Sequence, residues 1–190
     1  MNQYRLAFHR SKWFDGDIID NGIVVTCRLF NWFASPYSHV EVWLPDENGE
    51  YMDENGTFLG WCFTSTRYGD YDGTVVRPAH EVIGRHYERW DITTKIEVDE
   101  KQCRAILDYV DYETMNNEGY DIPCILTFFL WRIHSPEKNI CSEVAQFVCY
   151  LAGLFEKPKL WSPMKLSRKV KKAGVKIYSL TKWFTLNERR

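Results

Sequence analysis

The order of its hydrophobic periodicities is the feature that most constrains the fold of this 190-residue chain. Up to residue 98, strand-like patterns dominate, with apolar side chains at every second position. From residue 99 onward, apolar side chains recur at every third or fourth position, which is typical of amphipathic helices. A chain of strands followed by helices favours an α+β fold.

The clearest strand pattern covers residues 38–44, SHVEVWL. Its residues alternate between two faces, with Val40, Val42 and Leu44 on one and His39, Glu41 and Trp43 on the other. Further strands are predicted at residues 18–25, which follow a turn, and at residues 60–66, 73–77, 90–98 and 175–180.

Three helices are predicted in the second half of the chain. They cover residues 99–116, residues 140–152 with Gly153 as the C-terminal cap, and a basic stretch at residues 163–173 that ends at Gly174. Residues 120–133 are mostly apolar, and their pattern does not choose between helix and loop. We found no internal repeat and no linker, so residues 1–190 are interpreted as one domain that includes residues 157–190.

Composition excludes several classes of protein. Hydrophobic residues make up 45% and aromatic residues 16% of the chain, which excludes intrinsic disorder. The longest apolar run, residues 122–133, is interrupted by Pro123 and Arg132 and is shorter than the roughly 20 residues of a membrane span. The N-terminal residues contain no apolar export signal, so the sequence predicts a cytoplasmic protein without a membrane span.

The net charge of −2 conceals a strong asymmetry. Residues 157–190 contain eleven Lys and Arg and one Glu, a formal charge of +10, so residues 1–156 carry −12. One interpretation is a solvated basic helix that pairs with an acidic body. The other is a binding surface for an anionic partner, such as a nucleic acid, a membrane or a cell-wall polymer.

The cysteines show no metal-binding pattern. They occupy scattered positions with no CxxC pair: Cys27, Cys62, Cys103, Cys124, Cys141 and Cys149. A structural zinc site is therefore not expected, and neither is a metal set built from His80, His86 and Cys103. No cofactor-binding motif is present. In a cytoplasmic protein the six cysteines are expected to be reduced thiols, most of them packing residues.

Cys141 differs from the other cysteines in its position. It lies in the first turn of a predicted helix, where free backbone N–H groups and the positive end of the helix dipole stabilise an anion such as a thiolate. Cys149 lies in the middle of the same helix among apolar neighbours and is interpreted as a core residue. A buried structural cysteine remains the alternative for Cys141.

His39 is the candidate partner for such a thiolate. It stands at the start of the strand at residues 38–44, on the same face as Glu41. A histidine and a cysteine together form a general base and a nucleophile, and the 102-residue separation is no obstacle because such pairs meet in space. A histidine with a purely structural role is the alternative.

Four motifs in order resemble the circularly permuted NlpC-type hydrolases of the papain-like superfamily, including the YiiX-like and lecithin:retinol-acyltransferase-like branches. They are DGDII at residues 15–19, SPYSHV at 35–40, CSEV at 141–144 and SPMKL at 162–166. The resemblance implies a small antiparallel sheet with packed helices, and it fits a bacterial or bacteriophage protein, which would act in the host cytoplasm. It also implies His39 as the base and Cys141 as the nucleophile.

Other roles stay open. The family usually has Gly where this chain has Glu41, and the residue that orients the histidine is Glu41, Thr64 or Ser65. The oxyanion donor implied is the backbone N–H of Cys141 or of Ser142. Tyr37 is a second candidate donor, or else an aromatic residue that packs against Trp32 or Phe33.

The expected function is a cysteine hydrolase that cleaves an amide, ester or thioester, most simply as a peptidase or amidase. It would need no cofactor and no metal, and its substrate would be an acyl compound or a peptide. The alternative is a non-catalytic, virion-associated or other binding module whose basic C-terminal segment contacts an anionic polymer.

Overall fold

The fold is described by a computed structural model that covers residues 2–10, 37–68, 70–116, 119–121 and 139–187. Its elements, in chain order, are β1 Gln3–Arg10, β2 Tyr37–Leu44, β3 Trp61–Tyr68, β4 Tyr71–Pro78, α1 Ala79–Val82, a 3-10 helix Gly84–Arg89, β5 Trp90–Thr93, β6 Ile96–Glu97, α2 Glu100–Met115, α3 Cys141–Leu151, α4 Pro163–Lys172, β7 Ile177–Ser179 and α5 Leu180–Asn187. The protein is mixed α+β, with a small antiparallel sheet and several helices.

The strands form one antiparallel sheet with the order β4-β3-β2-β1-β5-β7. Strand β6 also pairs with β1, beyond the end of β5. The central strand, β1, has no counterpart among the predicted strands. Strand β7 pairs with β5, so the C-terminal segment contributes to the same sheet as the N-terminal half of the chain.

The two faces of the sheet are covered by different elements. On one face, Val40, Val42 and Leu44 pack in a core with residues of α2, α3 and α4, such as Ile106, Val148 and Leu166. On the other face, a second core contains Trp43, Trp90 and residues of α1 and α5. The alternation predicted for β2 is therefore confirmed, but both faces of this strand are buried.

Most predicted elements within the described residues are confirmed, with shifts of a few residues at their ends. Residues 90–98 form two short strands instead of one, because Thr94 and Lys95 separate β5 from β6. The predicted strand at residues 175–180 is shorter, and helix α5 begins at Leu180. The predicted strand at residues 18–25, the motif DGDII, the cysteines at positions 27 and 124, and residues 122–133 lie outside the described residues.

Strands β2 and β3 pair along only part of their length. Their ladder ends at the pair Val42 and Phe63, whereas β3 continues to pair with β4 as far as Tyr68. Beyond the last pair, the Thr64 hydroxyl donates to the carbonyl oxygen of Val40 at 2.9 Å, in place of a backbone donor. The two strands thus separate where β2 begins, and the candidate site lies at this opening.

Candidate active site

Cys141 is the first residue of α3 and is 3% exposed. The helix begins after Ile140, whose carbonyl oxygen accepts the N–H groups of Glu143 and Val144 at 3.0 and 3.2 Å. The N–H groups of Cys141 and Ser142 come before these bonds, at the open end of the helix. The sulfur therefore lies where the helix dipole favours a negative charge.

Side-chain contacts fix the segment that leads into α3. The Ser65 hydroxyl of β3 donates to the Asn139 carbonyl oxygen at 2.8 Å. The Asn139 amide in turn donates to the Glu113 carboxylate of α2. Residue 139, two positions before the cysteine, is thereby held to both the sheet and a neighbouring helix.

His39 lies on β2, directly opposite His9 of β1, and its side chain is 17% exposed. Its Nε2 lies 2.8 Å from Oε1 of Glu41, two residues further along the same strand. The side chain of Cys141 also lies beside the imidazole, close enough to raise the pKa of His39 through its charge and a side-chain interaction. The structure thus brings together three of the residues singled out in the sequence, with the imidazole between a sulfur and a carboxylate.

The surroundings of His39 favour its protonated form. Burial alone lowers the pKa of an imidazole, because the charged form loses its solvation. The charge and hydrogen bond of Cys141, followed by the hydrogen bond and charge of Glu41, outweigh burial and raise the pKa of His39 from 6.5 to about 10.

Glu41 is completely buried, so it is not a solvent-facing strand residue. Besides the imidazole, its Oε1 accepts a hydrogen bond from Nη2 of Arg77 at 3.1 Å. Arg77 comes from β4, two strands away, and its side chain is 13% exposed. The resulting row of charged or ionisable groups runs from Arg77 through Glu41 and His39 to Cys141, with alternating sign when the cysteine is ionised.

The rival residues for orienting His39 have other partners. The Thr64 hydroxyl lies 3.5 Å from His39 Nε2, at the long limit of a hydrogen bond, and donates to Val40 at 2.9 Å. The Ser65 hydroxyl is used by Asn139, as described above. Of the three candidates, Glu41 therefore makes the shortest contact with the imidazole.

The two oxyanion candidates differ in their surroundings. The Tyr37 hydroxyl donates to Oδ2 of Asp91 at 2.5 Å, and its ring packs on Phe8 with centroids 5.2 Å apart. Its one hydroxyl hydrogen is therefore directed to Asp91 and not to an oxyanion beside Cys141. Ser142 is fully buried, and its carbonyl oxygen accepts a hydrogen bond from the side-chain amide of Gln146 at 3.0 Å. Its backbone N–H lies at the open end of the helix.

Two residues near this site were not singled out in the sequence. Arg77 carries no local signal, because its role depends on reaching across β3. His9 stacks on Trp90 with ring centroids 5.0 Å apart. Burial, followed by the positive charges of neighbours including His39, lowers the pKa of His9 to about 3. A neutral histidine thus stands across the ladder from a protonated one.

The basic C-terminal segment presents most of its charged side chains to solvent. Within residues 157–187, none of the Lys or Arg side chains forms an ion pair in the described part of the protein. The outward side of this segment carries the exposed basic residues Lys157, Lys159, Lys165, Arg168, Lys171, Lys172, Lys176 and Lys182. Lys169 packs over the Trp161 ring at 5.5 Å.

A membrane-spanning helix and a metal-binding cluster are both absent from the residues that the structure describes. None of those helices has the length and apolar character needed to cross a membrane. In the same residues, no group of three or more His, Cys, Asp or Glu side chains is arranged to hold a metal ion.

No family model, curated protein or solved structure matches this chain.

Proposed function

We propose that this protein is a cysteine hydrolase with a circularly permuted papain-like fold. The observation that carries the proposal is the placement of the His39 imidazole between the side chains of Cys141 and Glu41. Two features of the architecture support it: the cysteine begins a helix packed on an antiparallel sheet, and the strand with the histidine precedes that helix in the chain.

The reaction would proceed in two acyl-transfer steps. The Cys141 thiolate attacks the acyl carbon, and the C–S bond forms as the carbonyl oxygen becomes an oxyanion. When the oxyanion collapses, the bond to the leaving group breaks and His39 donates its proton to that group. Water then attacks the thioester while His39 takes a proton from it, and the acid leaves as the Cys141 sulfur is released.

The remaining residues would serve this chemistry by orientation and charge. Since Nε2 of His39 donates to Glu41, Nδ1 is the nitrogen left to exchange a proton with the sulfur. The N–H groups of Cys141 and Ser142 at the helix end would stabilise the oxyanion. Glu41 would hold the ring in place and favour its charged form.

The substrate class is an amide, an ester or a thioester of a peptide or acyl compound, with peptidase or amidase activity as our first expectation. A panel of chromogenic peptide amides, acyl esters and acyl thioesters tests this directly. We expect turnover on at least one class by the wild type and a loss of about 10⁴-fold or more in the Cys141→Ala variant.

The matched control for this test is Cys149→Ala, which removes a thiol from the same helix. Retention of turnover in Cys149→Ala and its loss in Cys141→Ala would support the assignment of the nucleophile. Equal turnover in both variants, or an unchanged rate in Cys141→Ala, would overturn it.

We also propose a second candidate function, in which the basic C-terminal segment binds an anionic polymer. The observation that favours it is the exposed basic surface without described ion pairs. On α4, the apolar side is buried through Leu166 and Val170, so the outward side presents Lys165, Arg168 and Lys172 to solvent. The helix would thus bind such a polymer through charge and not by insertion.

Binding to a fluorescent single-stranded oligonucleotide tests the second candidate. We expect the affinity to fall about tenfold or more between 50 and 200 mM salt, and to fall in the variant Lys165→Glu/Arg168→Glu/Lys172→Glu. The control variant Lys101→Glu/Arg104→Glu changes exposed charges on α2 and should bind as the wild type does. Binding that is insensitive to salt, or equal in the two charge variants, would contradict this function.

A further inference from the structure

The Glu41 carboxylate has an unusual set of partners for a fully buried charge. Its Oε1 takes both described hydrogen bonds, one from His39 Nε2 at 2.8 Å and one from Arg77 Nη2 at 3.1 Å. Its Oε2 is buried without a hydrogen-bond partner. Arg77 is therefore the one permanent cation among the described partners of this carboxylate, because the charge of His39 depends on its own protonation.

Arg77 is held in a fixed position by its own surroundings. On β4 it pairs with Cys62 of β3, and its guanidinium lies 5.3 Å from the centre of the Tyr71 ring. From there it extends across β3 to reach Glu41 on β2. With a side-chain exposure of 13%, it is placed inside the protein and not on a solvated edge.

We propose that Arg77 is a positioning residue that holds the buried Glu41 carboxylate against His39, and that it thereby favours the protonated imidazole beside Cys141. This inference rests on the proposed function, since it assigns a residue to the same site. Without Arg77, the carboxylate loses its permanent cationic partner, and its hydrogen bond and charge support the imidazolium less well.

The proposal predicts a change in the protonation of His39 that is opposite in direction to the change expected from direct charge repulsion by Arg77. Arg77 and the imidazolium are both positive, so direct repulsion between them disfavours protonation of His39. If Arg77 acted only through space, its removal would ease protonation of His39. If it acts through Glu41, its removal makes protonation harder.

The test is a pH titration of the His39 ring nitrogens by NMR, in protein labelled with ¹⁵N-histidine and assigned with a His39→Asn variant. We expect Arg77→Gln to lower the titration midpoint of His39 by about one pH unit, a tenfold change in proton affinity, and Arg77→Lys to restore most of it. Arg104→Gln on α2, whose side chain is 76% exposed, is the matched control and should leave the midpoint unchanged. An unchanged or raised midpoint in Arg77→Gln would overturn the inference.

A double-mutant comparison keeps the test valid if Arg77→Gln alone does not fold. The variant Glu41→Gln/Arg77→Gln contains neither buried charge, and it is compared with Glu41→Gln. We expect no further lowering of the His39 midpoint when Arg77 is replaced in this background. A second lowering would show that Arg77 acts independently of Glu41, which contradicts the inference.

A separate variant distinguishes this inference from the proposed function. Replacement of Cys141 by Ala is expected to lower the His39 midpoint, because the thiolate is the first of the contacts that favour the imidazolium. If Cys141→Ala leaves the midpoint unchanged, the cysteine–histidine pair itself is absent. If Cys141→Ala lowers it and Arg77→Gln does not, only the role of Arg77 is wrong.

Discussion

Helix α3 carries two cysteines that are two turns apart, and each contacts an ionisable side chain of the sheet. Cys141 opens the helix and meets a histidine that is held by a carboxylate. Cys149 lies in the core with no exposed surface, near Tyr4 of β1. Burial raises the pKa of Cys149 to about 12, and the Tyr4 side chain offsets this only in part.

Both thiols are buried, so burial does not distinguish Cys141 from Cys149. They differ in their position along the helix and in the side chain that each one contacts. At the helix end, the Cys141 sulfur lies near backbone N–H groups that precede the helical hydrogen bonds, and beside the His39 imidazole. In the middle of the helix, the backbone groups are bonded to each other and the partner is a neutral hydroxyl, whose own pKa is raised by burial. One helix thus presents a thiol suited to chemistry and a thiol suited to packing.

Alkylation by iodoacetamide gives the most direct measure of this contrast. At pH 7 we expect Cys141 to be labelled at least about 10³-fold faster than Cys149, because only thiolates react and Cys149 is almost entirely protonated. Peptide mapping by mass spectrometry follows each cysteine separately. Equal and slow labelling of the two would remove the distinction between them.

Replacement of His39 by Ala should make the alkylation rates of Cys141 and Cys149 more similar. We expect the labelling rate of Cys141 at pH 7 to fall about 10²-fold, because the thiolate loses its imidazolium partner. His80→Ala is the matched control, since this histidine is 57% exposed and lies on α1. A rate that survives in His39→Ala would show that the helix end alone activates the sulfur.

The pH dependence of stability should also distinguish the surroundings of Cys141, which include His39, from those of Cys149. Because the pKa of His39 is raised from 6.5 to about 10, its stabilising contribution is complete below about pH 6.5 and is lost as the pH rises through about 10. Urea unfolding of the wild type and of His39→Gln should therefore differ by about 2 kcal/mol at pH 6.5, and by progressively less at pH 8 and above.

The difference in the free energy of unfolding between the wild type and Cys149→Ala should be constant between pH 6.5 and 8, because Cys149 stays protonated throughout. A constant difference for His39→Gln over the same range would contradict the raised pKa of His39.

Removal of the core thiol has the smallest expected effect. Cys149→Ala leaves a small cavity and should reduce the free energy of unfolding by about 1 kcal/mol. It should leave the labelling rate of Cys141 unchanged, as measured by the same alkylation assay. A loss of labelling in this variant would mean that the packing of α3 and its reactive end are coupled.

Local patterns predicted much of the fold, and the exceptions have physical causes. Tyr4, Leu6 and Phe8 alternate on β1 and could have identified that strand. Arg5 argues against a central strand in sequence, yet it is buried there, because its guanidinium donates to the Thr93 carbonyl oxygen at 2.5 Å and lies over the Tyr51 ring. A buried arginine with such partners cannot be distinguished from a surface residue before the partners are known.

The residues of the candidate site also form two groups, those that local sequence patterns could identify and those that they could not. His39, Glu41 and Cys141 could be singled out because each has a local signal, a strand face or a helix start. Arg77 could not, because it reaches Glu41 across an intervening strand. The opening between β2 and β3 was also beyond prediction, because it depends on where the pairing of two strands ends.

That opening ties reactivity to the completion of folding. His39 comes from an early strand and Cys141 from a helix that follows 102 residues later, so their contact joins segments that are far apart in the chain. Such contacts form only when the segments between them are arranged. In a nascent or partly unfolded chain, Cys141 is an ordinary thiol with no imidazolium beside it. The pairing of Cys141 with His39 is therefore available only in the folded molecule.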